Sequence, residues 1–287
     1  MLRIALPNKG RLSDDARELF RDAGLDVRSA GDRALVATLG DEFEAIFVRA
    51  QDIPEFVADG AADAGITGKD LVAESGRDLV ELLDLEFGKC RLVVAAKDDS
   101  AIRTVDDIPA GSRVASVFPR ITQTFFDGVG RAITVVPVSG ATEIAPHLGI
   151  ADIIVDLTST GSTLKVNGLR EIVTVMQASA RLIASNVAVV DPARRAKLDE
   201  LTTALSSVLR ARGKRYLMAN VPRTALDRVK EVLPGLNGPT VVDILNGGAM
   251  VAVHAVVPAS SIYKLTNALK ALGAEGILVT RIERITP

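Results

Sequence analysis

The sequence predicts an α/β protein with two lobes, followed by a ferredoxin-like α+β domain. Three observations predict it. Short β-branched runs alternate with helical stretches from residue 1 to about residue 185. One pattern recurs: Gly60–Asp70 and Gly149–Asp156 each give a Gly, an Asp, an apolar strand and then a polar loop containing Gly. The tail follows the order βαββαβ.

Strands are expected at Arg3–Leu6, Glu44–Val48, Ala62–Thr67, Leu92–Ala96, Arg113–Ser116, Ile133–Val136, Ile153–Leu157 and Asn186–Val190. Helices are expected at Ser13–Ala23, capped by Ser13, and at Ile53–Asp59, Asp70–Ser75, Pro119–Phe126 and Thr142–Leu148. This rhythm suits open sheets with crossover helices. The repeated pattern predicts two similar lobes around a cleft, where such proteins usually bind ligand. Lobe I takes residues 1–90 plus 180–212, and lobe II takes 91–179. A long helix at Pro192–Arg212, capped by Asp191, lines its inner face with Leu198, Leu201, Leu205, Val208 and Leu209. The terminal domain, 213–287, has strands at Lys214–Asn220, Thr240–Leu245, Met250–Val257 and Ile277–Ile285. Its helices are Thr224–Leu233 and Ser260–Leu272, and Asn246-Gly247-Gly248 is a hairpin signal.

Composition narrows the function. With 287 residues, 48% of them hydrophobic, the chain has material for a large core. A net charge of -2 favours neither nucleic acid nor an acidic membrane. One cysteine, Cys90, excludes an intrachain disulfide or a zinc–thiolate cluster, and two histidines exclude a histidine-rich metal site. No basic-then-apolar leader opens the sequence and no apolar stretch is long enough to span a bilayer, so a cytoplasmic location is expected.

The segment Ile153–Leu164 carries the strongest chemical signal. An apolar strand ends in Asp156, then passes into Thr158, Ser159, Thr160, Gly161, Ser162 and Thr163. Small residues let backbone N–H groups approach an anion, hydroxyls add donors, and a following helix adds positive field. The loop is either a phosphate cradle, with Asp156 on the sugar hydroxyls of a ribose 5-phosphate, or a solvated turn with a capped helix. It is not a nucleotide P-loop, because no Lys follows Gly161. Lys9 and Arg11 flank Gly10 after the first strand, and Arg49 follows another. Cations at strand ends suit phosphates, whereas an ion pair of Arg49 with Asp52 or a nearby acid is the plain structural alternative. Asp70 starts a helix, and Glu143 either contacts substrate or favours a helix dipole. His147 and His254 form no constellation with other reactive side chains.

Taken in order, Leu6–Leu12, Arg49–Pro54, Gly65–Asp70 and Asp156–Leu164 resemble ATP phosphoribosyltransferase, as do Tyr216–Met218, Leu233–Gly235 and Gly238–Thr240 in the tail. The resemblance spans essentially the whole chain and is to the long, histidine-regulated form. It implies a periplasmic-binding-protein-like catalytic part and an ACT-type terminal domain. It implies transfer of the phosphoribosyl group of phosphoribosyl pyrophosphate to N1 of ATP, with Mg²⁺, as the first step of histidine biosynthesis. Lys9, Arg11 and Arg49 would be the catalytic cations. Asp70, Glu143, Asp156 and Thr158–Thr163 would bind substrates. No protein metal cage is expected, since the pyrophosphate would carry the ion. Leu157 stands where many phosphoribosyltransferases carry a second acid. The resemblance further implies a dimer-to-hexamer homo-oligomer. It also implies feedback by histidine at Asn220, Leu236, Gly238, Thr240 and Ala274. Two rivals are a two-lobed solute binder without chemistry and a silent regulatory paralogue. Retention of Lys9, Arg11, Arg49 and the full loop argues against the latter.

Overall fold

A computed structural model describes residues 1–28, 34–233, 235, 238–245 and 248–286. Pro234, Leu236 and Asn246-Gly247 of the expected turns lie outside the described residues. Two compact units divide between Thr202 and Thr203.

In the first unit, strands β1 (Leu2–Pro7), β2 (Val27–Arg28), β3 (Val36–Leu39), β4 (Phe43–Val48), β5 (Ala64–Gly68) and β6 (Val80–Asp84) belong to one sheet. The chain then builds a second sheet from β7 (Cys90–Lys97), β8 (Ser112–Ser116), β9 (Ile133–Pro137), β10 (Ile153–Thr158) and β11 (Leu169–Ala178). It returns to the first with β12 (Ala180–Ala184), inserted between β5 and β6. The result is the expected two-lobed, periplasmic-binding-protein-like architecture, with chain crossings between β6 and β7 and between β11 and β12.

Parallel pairing decides where chemistry can sit. Strand β1 runs parallel to both β4 and β5, so Lys9, Arg49 and Lys69 follow strands that end on one edge. The Asn8 amide bonds to the Val48 carbonyl at 2.8 Å, tying two of those loops together. In the second sheet β8 runs parallel to β9 and β10, so Ser116, Pro137 and Thr158 share an edge. Apolar side chains on both faces of this sheet explain its unbroken sequence runs. Val94, Val114, Ile153 and Val155 pack on one side, and Val93, Ala115, Ile154 and Leu164 on the other.

Helices α1 (Arg11–Asp22), α2 (Ile53–Ala58), α3 (Lys69–Ser75) and α4 (Pro119–Gly128) follow strand ends. One acid joins the lobes: the Glu74 carboxylate of α3 accepts the Arg120 and Ile121 amides, at 2.9 and 3.0 Å, in the first turn of α4. Gly10, at φ 80°, precedes α1, and Ser13 is buried inside its first turn rather than capping it. Residues Thr142–Ile144 form only a 3-10 turn, and α5 (Ser162–Val166) is short. The expected strand Asn186–Val190 is a helix, α6. Its valines suggested a strand, but the Ser185 hydroxyl accepts the Ala188 amide at 3.1 Å and starts a helical turn. The adjacent strand is β12. Asp191 caps α7 (Pro192–Ala211) through the Ala193 and Arg194 amides, and the five expected inward residues are buried.

The second unit, Thr203–Pro287, takes in the end of α7, where the Ser207 carbonyl accepts the Ile285 amide at 2.9 Å. It contains β13 (Lys214–Pro222), α8 (Leu226–Val232), β14 (Thr240–Asp243), β15 (Met250–Pro258), α9 (Ile262–Ala271) and β16 (Glu275–Arg281). Sheet order β14-β15-β13-β16, antiparallel throughout, is the ferredoxin-like arrangement. Leu217, Val221, Val251 and Val253 pack with Val229 and Leu269 of the two helices. Alternate residues, including Met218 and His254, stay partly exposed on the other face. Among the described residues, no helix is long and apolar enough to cross a membrane.

Candidate active site

The loop after β10 is built to hold a tight turn. Gly161 sits at φ 78°, a conformation that a side chain strains. The Gly161 amide donates to the Thr158 hydroxyl at 2.8 Å, so buried Thr158 shapes the loop from below. Thr160 and Ser162 share a hydroxyl hydrogen bond of 2.9 Å, and Leu164 anchors the following turn in the core. Ser159, Thr160, Ser162 and Thr163 remain exposed. Because α5 has only five residues, a helix dipole adds little. The cradle rests on amides and hydroxyls.

Asp156 is half-buried on the same strand. Its Oδ1 accepts the Leu157 amide at 2.7 Å. Burial pushes its carboxyl above the ordinary range, the Leu157 amide opposes this, and the Glu143 charge pushes it further up. The hydroxyl of buried Thr142 also bonds it. Glu143 thus acts on Asp156 through its charge. Thr142 carries no motif that would single it out. Among the described residues, no three acidic, histidine or cysteine side chains converge on a metal position.

On the lobe I edge, Lys9, Arg11 and Arg49 are exposed, and none has a salt bridge among the described residues. The Arg49–Asp52 pair is therefore not formed. Arg11 opens α1 rather than lying in a loop. Asp70 is buried at the start of α3. A methyl group added to Gly68 would lie 2.2 Å from its Oδ1, so only Gly lets this carboxylate fold back. Burial raises the Asp70 carboxyl, while its own and the Leu71 amides lower it.

A cavity of about 380 Å³ lies at the chain crossings, lined by Lys89, Cys90, Arg91, Ser159 and Arg181 among others. Burial, and then the Asp70 charge, push the Cys90 thiol up to about 11. At pH 8 about a thousandth of it is thiolate, so alkylation by iodoacetamide should run far slower than for free cysteine. Asp70→Asn should speed it, as mass spectrometry would report. Equal rates in both proteins would contradict the Asp70 influence.

In the terminal unit, Asn220 and Thr240 are exposed, and Gly238 leads into β14. Asn220 pairs with Ala252 and Thr240 with His254, which puts both on the open sheet face. Ala274 packs against the core. Leu236 lies outside the described residues. Tyr216 and His254, not singled out as ligands, are joined by a 2.9 Å hydrogen bond.

Comparison with known proteins identifies the family. The family model of ATP phosphoribosyltransferase matches residues 49–207, and that of the HisG C-terminal domain matches 211–284. An ATP phosphoribosyltransferase of Gemmatimonas aurantiaca is 66% identical over 295 residues, covering 100% of both chains. One from Natronomonas pharaonis is 50% identical over 287 residues, again covering 100% of both. Among solved structures, the ATP phosphoribosyl transferase (HisG:HisZ) complex from Thermotoga maritima aligns with a TM-score of 0.63 at 27% identity. That alignment covers 72% of this chain and 97% of that one. With both models matched in order and full-length relatives at such identity, the chain belongs to the ATP phosphoribosyltransferase family of phosphoribosyl-transferring enzymes.

Proposed function

We propose that the protein catalyses the first step of histidine biosynthesis, joining ATP and phosphoribosyl pyrophosphate. The N1 lone pair of adenine attacks the ribose C1, the C1–O bond breaks, and its electron pair leaves with pyrophosphate. Such a reaction builds positive charge on the sugar and negative charge on the leaving group, so it needs fixed geometry and well-placed charge rather than a strong base. The observation that carries the reading is the loop Thr158–Thr163, in which Ser159, Thr160, Ser162 and Thr163 are exposed at the end of the strand that carries half-buried Asp156. In this reading the loop grips the 5-phosphate, Asp156 orients the ribose hydroxyls, and Glu143 adds negative field. Lys9, Arg11 and Arg49, free of protein partners among the described residues, draw the pyrophosphate. Asp70 bears on ATP by holding the start of α3.

Mg²⁺ would arrive held by pyrophosphate oxygens, with water rather than a protein cage filling its shell. Bound there, the ion would offset charge on the pyrophosphate. The test is to mix protein, ATP, phosphoribosyl pyrophosphate and Mg²⁺. Pyrophosphate release should accompany new absorbance from the N1-substituted adenine. Binding of both ligands without turnover would instead favour a solute binder or a silent regulatory paralogue.

The regulatory half of the proposal puts histidine in the terminal unit, at Asn220, Leu236, Gly238, Thr240 and Ala274. Its independent ferredoxin-like core supports a separable module. The open sheet face, where Val242 and Leu278 are 46% and 57% exposed, supports assembly of identical copies, from dimer to hexamer. The cytoplasm is the compartment this reaction implies. Removing residues after Arg212 should spare turnover and abolish inhibition by histidine. Full inhibition of a soluble truncated enzyme would contradict the assignment. Because the second unit starts within α7, a cut after Thr202 serves as the parallel variant.

A further inference from the structure

An acid beside a phosphate cradle works against it unless its charge is cancelled. Glu171 on β11 is such an acid: a methyl group added to Gly161 would lie 2.8 Å from its Oε1. Arg91, at the start of β7, grips it with a two-pronged contact, Nη1 to Oε2 at 2.7 Å and Nη2 to Oε1 at 3.0 Å. The same Nη1 lies 3.5 Å from the Thr174 hydroxyl. Strand pairing brings these groups under the loop. Thr158, the last residue of β10, lies opposite Arg91, whose partner on β11 is Gln177. Two register shifts in β11, between Glu171 and Val173 and between Thr174 and Met176, re-aim its side chains. Arg91 also lines the same cavity as Ser159 of the loop. Side-chain exposures of 34% and 31% leave the pair within electrostatic reach of a ligand yet partly screened.

We infer that Arg91 and Glu171 are positioning residues that set how tightly the loop holds the 5-phosphate. This rests on the phosphate-loop reading above. Glu171 props the Gly161 turn and subtracts attraction, while Arg91 restores enough of it for binding. The reason for such a device is chemical. Substrate and product carry the same 5-phosphate, so a cradle that binds it too strongly binds both alike and slows release. A neutral prop would give a tighter, slower enzyme.

The sign of the charge effect makes this testable. Dissociation constants for phosphoribosyl pyrophosphate are measured by calorimetry, beside kcat and KM. Glu171→Gln, which keeps the shape but not the charge, should bind about 3- to 10-fold tighter, the size expected for one nearby half-screened charge. Its KM and kcat should both fall. Arg91→Met, leaving Glu171 uncancelled, should weaken binding by about tenfold or more. Arg91→Lys, which keeps charge but loses the fork, should stay close to the original protein. The double variant Arg91→Met/Glu171→Gln should return to within about threefold of it. A purely structural clamp predicts the opposite: Glu171→Gln weaker, Arg91→Lys as poor as Arg91→Met, and no rescue in the double variant. Any of those results in proteins with unchanged melting temperature overturns the inference. Gly161→Asp separates the two levels. If it binds normally, the loop reading itself fails. If it loses binding while Glu171→Gln does not tighten, only the charge-pair inference falls.

Discussion

Gly161→Asp is expected to abolish binding of phosphoribosyl pyrophosphate, with an affinity loss on the order of 10²- to 10³-fold. Three effects act together. The residue sits at φ 78°, where any side chain costs about 1 kcal/mol. A Cβ there would meet Glu171 Oε1 at 2.8 Å, so the loop or the Arg91–Glu171 pair must shift. The new carboxylate would then face both Glu171 and the incoming phosphate. Gly161→Ala carries the first two effects without the charge and should lose about tenfold. Calorimetry with each variant separates strain from repulsion, and a melting curve confirms folding. Unchanged affinity in a folded Gly161→Asp protein would remove the loop from the substrate site.

The sequence made the loop legible because its chemistry is local. Asp156, the hydroxyls and Gly161 lie within a few positions and follow an apolar strand, so type and spacing suffice. The two-lobed fold and the βαββαβ tail were legible for a similar reason, since each repeats a simple period. What escaped was long-range pairing. Arg91 and Glu171 are 80 positions apart, and Glu74 finds Arg120 across the two lobes. No local pattern encodes such partners. The half-exposed strand β11 lacks clean alternation because its register shifts twice. Asn186–Val190 misled because a single capping serine outweighed the β preference of its valines. The cations Lys9, Arg11 and Arg49 stand out in the sequence by their place after strands, and parallel pairing of β1, β4 and β5 explains why that place matters.

Asp156→Asn should produce a more stable and nearly inactive protein. In the fold this carboxyl is held above its ordinary range, by burial first and by Glu143 as well. Its folded pKa exceeds the unfolded one, so the native state holds the proton more tightly. The resulting cost is fully present above the folded pKa, neutral pH included, and disappears as pH falls through that value toward the unfolded one. Asn removes the charge yet keeps an oxygen for the Leu157 amide, which donates at 2.7 Å. At neutral pH the melting temperature should therefore rise by about 2–4 °C for each kcal/mol relieved, and the gain should vanish in acid. Turnover should fall by about 100-fold or more, because the ribose loses the negative group that steadies its developing charge. Melting curves at neutral and acid pH, set beside kcat, test both halves. A melting temperature that drops at neutral pH would make Asp156 a structural prop. Retained turnover in a stabilised variant would detach it from the sugar.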